Sequence, residues 1–173
     1  MEFVESYMRF SFDDDILFRI EKDPILSDLE GYKACECVVL INEHVALIEA
    51  KSSSPHPDNK GDFDAWITEI KEKFADSLTL FDEIRKKRFG EEAFSRIPSS
   101  LRDMQIDSKK YIIYLIVHGN AIDWMPGIQD ALREAMRDVV NQWNLLDSNI
   151  KAINDEIALE RKLIVEILPR DEA

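Results

Sequence analysis

Two apolar stretches separated by a polar pair dominate the pattern along the chain. They are Ala34-Cys35-Glu36-Cys37-Val38-Val39-Leu40-Ile41 and His44-Val45-Ala46-Leu47-Ile48-Glu49-Ala50-Lys51, with Asn42-Glu43 between them. Both are rich in Val, Ile, Leu and small residues, and they read as the arms of a β-hairpin. Val45, Leu47, Glu49 and Lys51 alternate to one face of the second arm, and Ala46, Ile48 and Ala50 to the other. Both faces are largely apolar, which predicts a central strand covered on each side. Tyr111-Ile112-Ile113-Tyr114-Leu115-Ile116-Val117-His118 has the same near-continuous character and predicts a second buried strand.

A different period runs between them. Phe63, Trp66, Ile67, Ile70, Phe74, Leu78, Phe81 and Ile84 recur at helical spacing and predict a long helix over 62–89, capped by Asp62 and stopped by Gly90. Weaker patterns predict strands over 3–12, 16–21 and 163–168. They also predict a short helix from Asp23-Pro24, a helical piece over 91–97 and an amphipathic helix from Gly127 to about Trp143. Residues 144–157 have no clear period. The whole reads as an α/β (α+β) fold, a mixed central β-sheet flanked by helices, in one domain over residues 1–173.

Charge changes this picture at one place. Glu49 and Lys51 sit at the end of a strand predicted to be buried, where a charge needs a partner, a metal or a water-lined cleft. A two-residue turn at Asn42-Glu43 sets Glu36 opposite Glu49; a turn at Glu43-His44 sets it opposite Lys51. Either puts Glu36, Glu49 and Lys51 on one face, whereas a three-residue loop separates them.

This arrangement resembles the PD-(D/E)xK nuclease superfamily. Glu49-Ala50-Lys51 stands as the (D/E)xK element and Glu36 as the preceding acid, although the superfamily usually has Asp there and no Pro precedes Glu36. Four other (D/E)xK spellings occur, at Asp58, Glu69, Asp107 and Glu160, but none ends an apolar strand paired with an acid-bearing strand. The resemblance covers the middle third of the chain. It implies a restriction-endonuclease-like fold and a Mg²⁺- or Mn²⁺-dependent phosphodiester hydrolase, with Glu36 and Glu49 as metal ligands and Lys51 as the third catalytic group. The acid that the superfamily often carries on an N-terminal helix has Glu21 or Glu30 as its candidate.

Accessory candidates surround this core. His56 lies in the Ser/Pro-rich stretch 52–61 that leaves the proposed site, and its unperturbed pKa suits proton transfer. Lys73 flanks the apolar stripe of the long helix and could face the site. The basic run Arg85-Lys86-Lys87-Arg88 is the richest local patch of positive charge, and it also complements the helix C-terminus. His118 closes the second buried strand.

Composition bounds the rest. The 173 residues are 45% hydrophobic and 33% charged, with net charge −13. That charge disfavours non-specific nucleic-acid binding. It keeps open a second expectation, a non-catalytic nuclease-fold regulator that binds a basic protein partner through its acidic surface. Cys35 and Cys37, the only cysteines, are badly spaced for mutual bridging and lack further zinc ligands nearby. No signal peptide or membrane-length apolar run is read, so the expectation is a cytoplasmic, reduced protein without membrane partners.

Overall fold

The computed structural model describes residues 1–170. Its centre is a five-stranded mixed sheet of β3 (Leu17–Phe18), β4 (Cys37–Ile41), β5 (His44–Lys51), β6 (Tyr111–Val117) and β7 (Ile150–Asn154), adjacent in that order. The first three are antiparallel neighbours, while β5, β6 and β7 run parallel. This is the α+β architecture expected from the sequence.

The hairpin turns at Asn42-Glu43, and both residues take positive φ, 47° and 65°. Two left-handed residues match the twist of a two-residue hairpin turn. Asn tolerates that conformation; Glu43 adopts it without glycine's freedom. Cys37 then pairs with Ile48, and the Glu36 N–H donates to the Ile48 carbonyl at 2.9 Å. Regular pairing ends there, with Glu36 one residue before β4.

The predicted coverage of β5 on both sides holds. On one side Val45 and Leu47 join a core with α1 (Lys60–Arg85), whose Phe63, Ile67, Ile70, Phe74, Leu78 and Phe81 all face inward. Ile128, Leu132 and Met136 extend the same layer from α4 (Met125–Ala135) and its C-terminal end. On the other side Ala46, Ile48 and Ala50 pack with Met8, Phe10, Leu163 and Ile164. That second layer is built on a small sheet of β1 (Glu2–Glu5), β2 (Met8–Ser11) and β8 (Glu166–Ile167).

Several element boundaries differ from the sequence expectation. Residues 3–12 form a hairpin, not one strand, because Ser6 and Tyr7 both take positive φ and reverse the chain. The strand expected over 16–21 is reduced to β3, and Ile20–Lys22 coils into a 3-10 turn. Gly90 does not merely stop the long helix. With φ of 90° it opens α2 (Gly90–Arg96), after α1 has ended at Arg85 and Lys87 has turned left-handed. A further short helix, α3 (Ser99–Arg102), precedes β6. Asp62 lies in the first turn of α1, whose N-cap is Asn59. The helix expected over 127–143 breaks at Met136 into α4 and α5 (Arg137–Trp143).

The segment without a clear period contains β7 and is followed by α6 (Asp155–Glu160), capped by the Asn154 side chain. The final strand shrinks to the two residues of β8. Strand β7 lies at the sheet's margin, where α4 engages its backbone: Gln129 Oε1 accepts from the Ala152 N–H at 3.3 Å, and Arg133 Nε donates to the Ile150 carbonyl at 3.0 Å.

Candidate functional site

Glu36 and Glu49 are among the few buried charged residues, at 4% and 0% exposure. Glu49 is held there by β5, whose neighbours on both sides fix its face. Glu36 is held by its bond to Ile48 and by Ser77, a buried serine within the apolar stripe of α1. The Ser77 hydroxyl accepts from the Cys35 N–H at 2.8 Å, which pins the chain one residue before Glu36.

Two lysines converge on one oxygen of Glu49. Lys73 Nζ lies 2.7 Å from Glu49 Oε1 and Lys51 Nζ 3.4 Å from it; Lys51 also meets Glu69 at 2.9 Å. Burial drives the Glu49 carboxyl above its ordinary range, and the two lysine charges act against that. Burial works to lower Lys73, but Glu49, Glu36 and Glu21 outweigh it and raise Lys73 overall. Lys73 Nζ donates to Glu49 Oε1 across this 2.7 Å contact. Glu69 is held below the usual range by its hydrogen bond from Lys51.

Glu36 faces other acids. Its carboxyl is pushed up to about 9, first by burial and then by Glu21, Glu49 and Glu5. Glu21 moves the other way: burial raises it, but its hydrogen bond with Glu36 and the charge of Lys22 lower it overall. Lys22 Nζ lies 3.3 Å from Glu21 Oε2; Arg19 stands farther off, 3.9 Å from Glu36 and 3.8 Å from Glu21. The Arg19 separations exceed a hydrogen bond. The guanidinium is committed elsewhere, to the Glu36 carbonyl at 3.3 Å and the Phe3 ring at 3.6 Å.

One oxygen each of Glu5, Glu21 and Glu36 lies within 4.8 Å of the other two. Glu21 Oε2, Glu36 Oε2 and Glu49 Oε2 are all buried without a hydrogen-bond partner. Such orphaned acceptors fit a hard divalent cation, which takes carboxylate oxygens.

The expected site residues thus separate. Glu36, Glu49, Lys51, Lys73 and Glu21 come together. His56 does not: it is exposed, in the loop after β5, with its ring edge-on to Trp124 at 4.9 Å and Nδ1 3.5 Å from Asp58. His118 donates its backbone N–H to the Lys51 carbonyl at 2.8 Å, but its ring belongs to Asp155 (2.8 Å) and Tyr7 (5.3 Å). The basic run 85–88 is consumed locally. Arg85 turns to the Arg102 and Met104 carbonyls, Lys86 pairs with Asp82, Lys87 with Glu91 and Arg88 with Glu83.

Cys37 packs in the core opposite the Glu36 face. Cys35 joins the core on the α1 side, because the chain before β4 is irregular. Both are buried and free, and burial pushes the Cys35 thiol up to about 12.

Glu5, Arg19, Ser77 and Glu69 were not singled out from the sequence. Only Ser77 left a trace there, as a polar residue on the apolar side of a helix. Among the described residues no helix is long and apolar enough to cross a membrane. No protein-family model, no curated protein and no solved structure matches the chain.

Proposed function

We propose that the protein is a divalent-metal-dependent nuclease of PD-(D/E)xK type. The observation that carries this reading is that two buried acids, Glu36 just before β4 and Glu49 in β5, lie near enough for the charge of one to raise the other. Each has a buried oxygen without a partner, and Lys51 lies two residues beyond Glu49. Glu36 and Glu49 would hold Mg²⁺ or Mn²⁺, with Glu21 beside them. The cation, when bound, supplies Lewis-acid stabilisation of the charge that develops on the phosphate.

The chain's own residues do the remaining work. Lys73 works against the effect of burial on Glu49 and fixes one of its oxygens, leaving the other free to ligate. Lys51 is partly exposed, so its ammonium reaches the side from which a phosphodiester arrives and offsets negative charge there. Glu69 orients Lys51 by accepting its hydrogen bond at 2.9 Å. A nucleic-acid substrate follows from the resemblance, and a reducing, cytoplasmic setting is compatible with the two free thiols.

The test is cleavage of single- and double-stranded DNA and RNA in Mn²⁺ or Mg²⁺, with Glu49→Gln and Lys51→Ala alongside. Cleavage should vanish without metal and fall by on the order of 10²-fold in Lys51→Ala. Activity that survives both substitutions belongs to a contaminant and removes this reading.

One observation favours a second reading, a non-catalytic nuclease-fold regulator that binds a basic protein. Every residue of the basic run 85–88 already has a partner, which leaves an acidic surface with net charge −13. Absence of cleavage with every substrate, beside salt-sensitive binding to a basic protein, would select it.

A further inference from the structure

The three carboxylates of Glu5, Glu21 and Glu36 come from three separate elements: the end of β1, the 3-10 turn Ile20–Lys22 and the residue before β4. Three carboxyl groups within 4.8 Å of one another disfavour full ionisation, and this arrangement persists only where the surrounding structure holds it. The fold does hold it. The turn that carries Glu5 is docked: Ser6 Oγ donates to the Ala50 carbonyl at 3.1 Å, the Leu168 N–H donates to the Tyr7 carbonyl at 2.8 Å, and the Tyr7 ring packs on His118. Glu5 is therefore fixed beside the site.

One positive side chain meets this group at its rim, Lys22, whose Nζ lies 3.3 Å from Glu21 Oε2. Lys51 and Lys73 gather at Glu49, and Arg19 stands beyond hydrogen-bond distance of both Glu21 and Glu36. Glu36, 96% buried by its 4% exposure, keeps Oε2 without a hydrogen-bond partner, and so does Glu21. Buried acceptors of this kind are rare unless an ion or water meets them.

We propose that Glu5, Glu21 and Glu36 form a binding position for a hard divalent cation, Mg²⁺ or Mn²⁺, with Glu5 as a ligand supplied by the N-terminal hairpin. Opposite ligands of Mg²⁺ lie about 4.2 Å apart, twice a bond of about 2.1 Å. The observed spacing of up to 4.8 Å is slightly wider. Binding draws the side chains together by a fraction of an ångström or leaves one acid ligating through water, as this ion commonly does. Glu36 then stands between two environments, the lysine-neutralised Glu49 on one side and the cation position on the other. The proposal rests on the nuclease reading only for what the cation would do to a phosphodiester; binding itself does not depend on it.

The test is isothermal titration of Mn²⁺ into the metal-free full-length protein, with Mn²⁺ electron paramagnetic resonance as an independent count of free ion. Glu5→Gln should weaken binding about tenfold or more, and Glu21→Gln should do the same. Glu2→Gln, which removes one charge from the same strand, should change it less than about twofold, and unchanged circular dichroism would show that each variant is folded. Wild-type protein that takes up no Mn²⁺ at millimolar concentrations overturns the proposal, as does Glu5→Gln protein that binds like wild type. Glu5-dependent binding without cleavage of any substrate would retain the cation position and remove the nuclease reading. Cleavage together with Mn²⁺ binding that ignores Glu5 would do the reverse.

Discussion

Glu36 is an acid whose chemistry departs far from its exposed form. Its carboxyl holds a proton up to about 9 in the fold, against an ordinary value of 4.5. Between those values the folded chain binds more protons than the unfolded chain, so stability falls as pH rises. The contribution is fully present below about 4.5 and is lost progressively toward 9. Thermal melts in metal-free buffer should therefore show a declining midpoint from pH 5 to pH 9. Glu36→Gln, which stays neutral throughout, should flatten that slope. An identical slope in the variant would place the burden on another group, with Glu49 next because burial raises it too.

At the scale of elements, Ser77 links the long helix to the acid-bearing strand. Ser77→Ala removes the acceptor for the buried Cys35 N–H and should cost about 1–3 kcal/mol in urea unfolding. Placement of Glu36 should loosen as well, lowering Mn²⁺ affinity without touching a ligand. The hairpin, α1 and β6 were legible because each carries a long, clean period, and the two-residue turn followed once Asn42 and Glu43 were weighed as its centre.

Other elements left little to read. Strand β7 is five residues with Lys151 inside it, too short for alternation to show. The break at Met136 has no proline or glycine to mark it. Glu5 was invisible as a site residue because Ser6 and Tyr7 lack the usual signature of a tight reversal, and because only the tertiary structure brings that turn to Ala50. Alternation put Glu49 and Lys51 on one face, while the approach of Glu36 depended on the length of the turn at Asn42-Glu43. Lys73 could be suspected from its helix face, while the role of Arg19 could not.

Across the whole molecule, charge is unevenly spent. Net charge is −13, so self-repulsion works against the compact state and added salt screens it within about 10 Å at 0.1 M. Raising NaCl from about 20 to about 300 mM, which shortens that length further, should raise the melting midpoint at neutral pH. A fall would show that local ion pairs such as Lys86–Asp82 matter more than the overall excess. The anchoring of Ala152 and Ile150 by Gln129 and Arg133 bears on assembly. A neighbouring chain seeking to extend the five-stranded sheet at this margin would meet an amide and a guanidinium already occupying the backbone it needs. Open-ended stacking by strand addition is thereby obstructed on that flank.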